Sequence, residues 1–143
     1  MTSEKYSVLF VCVHNSVRSK IAEAIFNEEV KSRNIDAIAT SAGTSPSRDI
    51  HPLAKAVLQE VGIEINNWPT ALNESIIANA NIIINMGCME NNFCPAIFVE
   101  KIEDWGLENP SNESIEKFRE IREKIKNKVD ELIGKINNAP NGI

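Results

Sequence analysis

Val8-Leu9-Phe10-Val11-Cys12-Val13-His14-Asn15-Ser16-Val17-Arg18-Ser19-Lys20-Ile21-Ala22-Glu23 changes pattern twice within one short stretch. With Tyr6 and Ser7 ahead of it, the run at 6–11 is apolar and β-branched, too short for a helix and followed by polar residues. It reads as a buried strand. From Ser19 the period lengthens: Ile21, Ala24, Ile25 and Val30 recur at helical spacing, with Glu23, Glu28, Glu29 and Lys31 between them. The unit is strand, loop, helix, and the rest of the chain has to fit it.

Working outward, residues 35–42 read as a second strand ended by Gly43. A Ser/Pro-rich loop at 44–49 leads to a second helix with Pro52 in its first turn. Leu53, Ala56, Val57 and Val61 form that helix's expected apolar face, and Gly62 ends it. Asn73 can cap a short helix over 74–79, residues 82–86 read as a third, apolar-rich strand, and 96–102 look like a fourth. The last element has the clearest period. Ile115, Phe118, Ile121, Ile125, Val129, Leu132, Ile133 and Ile136 step by three and four. Glu113/Lys117, Glu120/Lys124 and Glu131/Lys135 stand as i,i+4 pairs on its other faces. Strands alternating with helices predict an α/β fold, a parallel sheet with helices on both faces joined by right-handed crossovers. Ligands of such sheets sit at the carboxyl ends of the strands, so the loop after the first strand is the first place to look.

A chain of 143 residues, 43% of them hydrophobic, is long enough for one packed domain, taken as 1–143. Twenty acidic residues against 15 basic give a net charge of −5, and no run of Lys/Arg exceeds two, which argues against nucleic acid as a partner. The apolar stretches at 8–13 and 82–84 are far short of the ~20 residues a membrane helix needs. The start, Met-Thr-Ser-Glu-Lys-Tyr, lacks the basic-then-apolar build of a secretion signal, so a cytoplasmic location and no membrane partner are expected. The three cysteines are an odd number in a chain that needs no disulfide staples, which leaves packing, metal binding or chemistry to explain them.

Cys12 and Arg18 are separated by five residues, a spacing that about one chain of this composition in ten would show by chance. Its placement carries more weight, because the loop fills the turn between a buried strand and a helix N-terminus. Free backbone N–H groups and the positive end of the helix dipole favour an anion there. Arg18 can add a bidentate fork to a tetrahedral oxyanion, the same field favours Cys12 as its thiolate, and Ser19 can donate its hydroxyl to that sulfur. A thiolate at the floor of an oxyanion cradle is a nucleophile aimed at phosphorus or arsenic. The plain alternative is a small buried Cys12 beside a surface Arg18, with His14 a solvated loop residue. Cys88 and Cys94 follow the third strand and so belong to the same sheet edge as Cys12. They are loop cysteines, members of a metal site for which C-x5-C is an unusual zinc spacing, or redox thiols.

The stretch 8–23 resembles the signature of the low-molecular-weight protein tyrosine phosphatase superfamily. The resemblance continues through Ser41-Ala42-Gly43-Thr44, His51-Pro52 and Trp105-Gly106-Leu107-Glu108-Asn109-Pro110 to the long final helix, essentially the whole chain. It implies a four-stranded parallel sheet in order 2-1-3-4 flanked by helices. It also implies Cys12 as nucleophile, and an oxyanion cradle of Val13, His14, Asn15, Ser16, Val17 and Arg18.

The superfamily holds two chemistries, and the pair Cys88/Cys94 resembles the thioredoxin-coupled arsenate reductases. The implied course is a relay: Cys12 forms a thiol-arsenate adduct, Cys88 attacks Cys12 and releases arsenite, Cys94 attacks Cys88, and thioredoxin reduces the Cys88–Cys94 disulfide. Thioredoxin is then the reductant and no tightly bound cofactor is called for. The alternative is a tyrosine phosphatase working through a Cys12 phosphoenzyme. Three departures from the pattern stand out. Gly87 holds the place of the first relay cysteine, with Cys88 one place later. Asn109 holds the place of the aspartic acid that protonates the leaving oxygen, leaving Glu108 as the adjacent possible acid. Finally, Asn15, Glu23 and Ser41 match positions that bind an alkali cation in some reductases, but Ala71 replaces the fourth, a carboxylate. Potassium is therefore not expected to be held, and Glu23 reads as a solvated residue of the helix's first turn.

Overall fold

The computed structural model describes residues 5–65, 67–86, 102–110 and 112–138. In chain order the elements are β1 (Tyr6–Cys12), α1 (Arg18–Ser32), β2 (Ala37–Gly43), α2 (Pro52–Gln59), α3 (Glu74–Asn79), β3 (Ile82–Asn85), β4 (Ile102–Asp104) and α4 (Ile115–Asn138). The four strands form one parallel sheet in the order β2-β1-β3-β4. That is the order the resemblance implied.

β1 lies inside the sheet and is buried on both faces, which is why its run is apolar without alternation. Val8, Phe10 and Cys12 face a large core shared with α1, α2 and α4, whereas Leu9 and Val11 face a smaller one with Ala42, Ile77, Ala80 and Ile83, under α3. Phe10 meets Phe26 and Trp105 edge-on, with ring centroids 6.1 and 5.4 Å away. Its truncation to Ala should cost ~3–5 kcal/mol. The register pairs Cys12 with Gly43, so β1 and β2 end side by side at the carboxyl edge.

Several boundaries differ from the sequence reading. β4 is described over Ile102–Asp104 and so continues past the expected end at 102, while residues 96–101 of the expected strand lie outside those described. Helix α2 ends at Gln59 and buries Ala54, Val57 and Leu58, leaving Leu53 and Ala56 only partly covered and Val61 48% exposed. The reason is the stop signal itself. Gly62 takes φ +78°, its N–H donates to the Gln59 carbonyl, and the Ile63 N–H reaches back to Leu58, a Schellman closure that puts Val61 past the packed face. In α4 the buried stripe is the expected one, from Phe118 to Ile136. Of the expected charge pairs Glu120–Lys124 forms, at 3.6 Å. Lys117 instead joins Glu108 from the segment after β4 and Glu120 of its own helix, and Lys135 approaches Glu103 of β4. Among the described residues no helix is long and apolar enough to cross a membrane.

Candidate active site in the loop between β1 and α1

The loop at 13–17 is held from outside by its carbonyls. Those of Cys12, Val13, His14 and Ser16 accept from the N–H groups of Thr44, Ser45, Ser47 and His51, at 3.3, 2.8, 2.9 and 3.1 Å. In a planar trans peptide the N–H points opposite to the C=O, so each carbonyl turned outward turns the following amide inward. Asn15 shows the result: its N–H points at Cys12 Sγ, 3.3 Å away. Among the described residues the amides of Val13, His14, Ser16 and Val17 donate to no protein acceptor. Val17, at the N-cap of α1, supplies no side-chain cap, so the open first turn faces the same space.

Two residues make this tight turn possible. Asn15 adopts φ +52°, a left-handed conformation that asparagine tolerates better than most residues. Gly43 at the end of β2 lies directly beneath, and a Cβ there would sit 2.6 Å from the Val13 carbonyl oxygen and 3.0 Å from the Asn15 nitrogen.

Cys12 is 3% exposed at the floor of the loop, with the Ser19 Oγ 2.9 Å from its sulfur. A chain of donors leads to this contact and leaves the Ser19 proton available to sulfur. The Thr70 N–H donates to Asn15 Oδ1 at 2.7 Å, which sets the amide orientation and turns Asn15 Nδ2 to donate to Ser19 Oγ at 2.8 Å. With its oxygen accepting from Asn15, the Ser19 hydroxyl is free to donate to sulfur. Sulfur then accepts from the Asn15 N–H and can accept from the Ser19 hydroxyl.

Arg18 is buried rather than on the surface. Its Nη1 donates to the Leu107 carbonyl at 2.8 Å, which among the described residues is the acceptor the guanidinium meets. Leu107 is brought there by the turn after β4, where Asp104 Oδ1 accepts from the N–H of Gly106 at φ +59°. His14 is exposed and Nδ1 donates to the Ser45 carbonyl at 3.0 Å, a brace on the outer wall. Glu108 is exposed and its carboxylate lies 2.6 Å from Lys117 Nζ. That contact, followed by Glu120, holds the Lys117 ammonium above its ordinary value of 10.5. Asn109 is exposed on the same segment. Cys88, Cys94 and Gly87 lie outside the described residues.

Glu23 does not fit the expectation of a solvated residue: it is 8% exposed. It accepts from the Ser41 hydroxyl, from Asn67 Nδ2 at 2.9 Å and from Lys20 Nζ at 3.3 Å, and Lys20 is itself only 2% exposed. The segment 67–70 supplies the cover. Lys20, Asn67 and Thr70 received no role in the sequence reading. Lys20, adjacent to Ser19 in a first helical turn, was the one signal available.

The chain matches the family described as low molecular weight phosphotyrosine protein phosphatase over residues 7–141. A glutaredoxin arsenate reductase of Synechocystis is 39% identical over 132 residues, covering 90% of this chain and 97% of that protein. The thioredoxin-dependent arsenate reductase of Corynebacterium glutamicum superposes with a TM-score of 0.79 at 34% identity, covering 96% of this chain and 64% of that one. An arsenate reductase in a phosphate-binding state gives 0.78 at 35% identity, over 91% and 98% of the two chains.

Proposed function

The chain belongs to the low molecular weight phosphotyrosine protein phosphatase family, and from that premise we propose that it is an arsenate reductase whose nucleophile is Cys12. The observation that carries this reading is the sulfur at the floor of an inward-turned amide loop, with the Asn15 N–H donating to it and the Ser19 hydroxyl 2.9 Å away. Such a site binds a tetrahedral oxyanion and presents a thiolate to its central atom. Reductase is preferred over phosphatase because relatives similar over nearly the whole chain are named arsenate reductases. Asn109 adds to the preference, since an amide cannot serve as the acid that phosphate-ester cleavage requires.

The steps balance as follows. The Cys12 thiolate bonds to arsenic, and one arsenate oxygen leaves as hydroxide or water. Cys88 attacks the Cys12 sulfur; the S–As bond breaks and its electron pair stays on arsenic, which leaves as arsenite. Cys94 then attacks Cys88 and frees Cys12, giving a Cys88–Cys94 disulfide that a dithiol reduces. Arg18 offers its remaining N–H groups to the oxyanion, and the amides of Val13, His14, Ser16 and Val17 complete its cradle.

Thioredoxin is the proposed reductant of that disulfide. A glutaredoxin system is the second reading, favoured by the name of the Synechocystis relative. The deciding assay is arsenate-dependent NADPH oxidation, run once with thioredoxin and its reductase and once with glutaredoxin, glutathione and glutathione reductase. Cys12→Ser should abolish turnover with both donors. Cys88→Ser and Cys94→Ser should abolish it with thioredoxin, and arsenate should convert the reduced wild type to a species about two hydrogens lighter in the peptide holding both thiols. If Cys88→Ser turns over with thioredoxin as fast as wild type, the relay is wrong.

A further inference from the structure

The alkali-cation positions implied by the family resemblance do not fit potassium in this chain. Ala71 offers no side-chain donor where a carboxylate is required. The Ser41 hydroxyl donates to Glu23, Asn15 Oδ1 accepts the Thr70 N–H, and Glu23 Oε1 already faces an ammonium. A positive charge is nevertheless present. The Lys20 ammonium lies 3.3 Å from Glu23 Oε1 and 2.9 Å from Asn67 Oδ1, and Asn67 closes the triangle by donating Nδ2 to Glu23 Oε2.

We infer that the Lys20 ammonium is the built-in cation of this loop, a positioning residue that does covalently what a bound alkali ion would do. Its effect reaches the sulfur by four contacts already described. Lys20 and Glu23 fix Asn67; the same short segment presents the Thr70 N–H; that N–H orients Asn15; and Asn15 turns the Ser19 hydroxyl onto Cys12. Removing the ammonium leaves a buried carboxylate without its counter-charge, which frees segment 67–70 and the donor chain behind it. A cavity of about 300 Å³ lined by Lys20, Glu23, Ser41, Asn67 and Thr70 adjoins the triangle, so a small hydrated cation has a route to the vacated carboxylate. The inference holds whichever oxyanion the loop takes, and its test reads the thiol rather than turnover.

The experiment measures the rate of Cys12 alkylation by iodoacetamide at pH 7, in Cys88→Ser/Cys94→Ser protein so that one thiol is read. Potassium chloride is compared with tetramethylammonium chloride at equal ionic strength, which keeps general screening constant. With Lys20 intact the two salts should give the same rate. Lys20→Met should be alkylated about tenfold more slowly in tetramethylammonium, the effect of losing roughly one hydrogen bond's support to the thiolate, and potassium should restore most of that loss. Lys20→Gln, which keeps a polar side chain of similar length, serves if the methionine variant does not fold. A potassium-dependent rate with Lys20 intact overturns the inference. So does a variant slowed equally in both salts, which would make Lys20 a hydrogen-bond donor only, or a variant alkylated at the parent rate in both.

Discussion

Ser19→Ala removes the hydroxyl that closes the donor chain Thr70–Asn15–Ser19–Cys12. Ser19 Oγ is fully buried, 2.9 Å from sulfur and 2.8 Å from Asn15 Nδ2, so water cannot readily replace it. A hydrogen bond to a charged acceptor contributes ~1.5–3 kcal/mol, and at ~1.4 kcal/mol per factor of ten the thiolate should lose about ten- to a hundredfold of its support. The second donor, the Asn15 N–H at 3.3 Å, is longer and remains. The assay is the second-order rate of iodoacetamide alkylation of Cys12 at pH 7 in the Cys88→Ser/Cys94→Ser background, with near-ultraviolet circular dichroism to show that the fold persists. Asn15→Asp makes the companion test, because it keeps the shape but reverses the polarity. A carboxylate would accept the Ser19 proton, leaving sulfur without that donor and adding a like charge to the buried loop. The Asp variant should therefore react at least as slowly as Ser19→Ala. A folded Ser19→Ala protein alkylated at the parent rate would show that the S–H donates to Ser19 and that the direction assigned here is wrong.

Asn109→Asp should raise turnover of an unactivated aryl phosphate by ~10²- to 10⁴-fold, less for a nitrophenyl ester, while Glu108→Gln changes little because Glu108 faces Lys117. Gly43→Ala, whose Cβ would press the Val13 carbonyl at 2.6 Å, should lower stability by ~1–3 kcal/mol and weaken phosphate binding measured by calorimetry. Glu60, whose carboxyl is held at about 2 by hydrogen bonds from Arg119 and then Arg122, ties α2 to α4. Its value is depressed on folding, so its contribution is complete above pH 4.5 and fades toward pH 2. The difference in thermal midpoint between wild type and Glu60→Gln should shrink over that window and stay constant above it.

The sheet was legible because its inner strands are nearly pure apolar runs and α4 repeats its period over many turns. The described part of β4 was not legible for the opposite reason: at the sheet edge it carries Glu103 and Asp104, so charge hides it from any pattern of burial. The Cys12 loop stood out through residue type and its place after a buried strand. What encloses it did not, because the outer carbonyls are held by 44–51 and the donor chain starts at Thr70, both irregular segments without a period. Glu23 was misread on the same account. An acid in a first helical turn is ordinarily explained by the dipole, and nothing local to α1 says that 67–70 will cover it.

The cradle alone does not choose between hydrolysis and reduction, since arsenate and phosphate are both tetrahedral oxyanions and would meet the same amides. The choice falls on what stands above the bound anion. Arg18 holds Leu107 by its carbonyl, so the segment carrying Asn109 is anchored through backbone atoms that do not depend on the side chain two residues later. Asn109 stands where that acid would be, on the segment that Arg18 anchors at Leu107. Without that acid an alkoxide leaves a phosphorus centre slowly. Loss of oxygen from arsenate is also slowed, but thiol attack on Cys12 expels arsenite through sulfur and needs no proton from residue 109. On the proposed reading, commitment to reduction passes from an acid at position 109 to the thiols of Cys88 and Cys94, which follow β3 in the sequence.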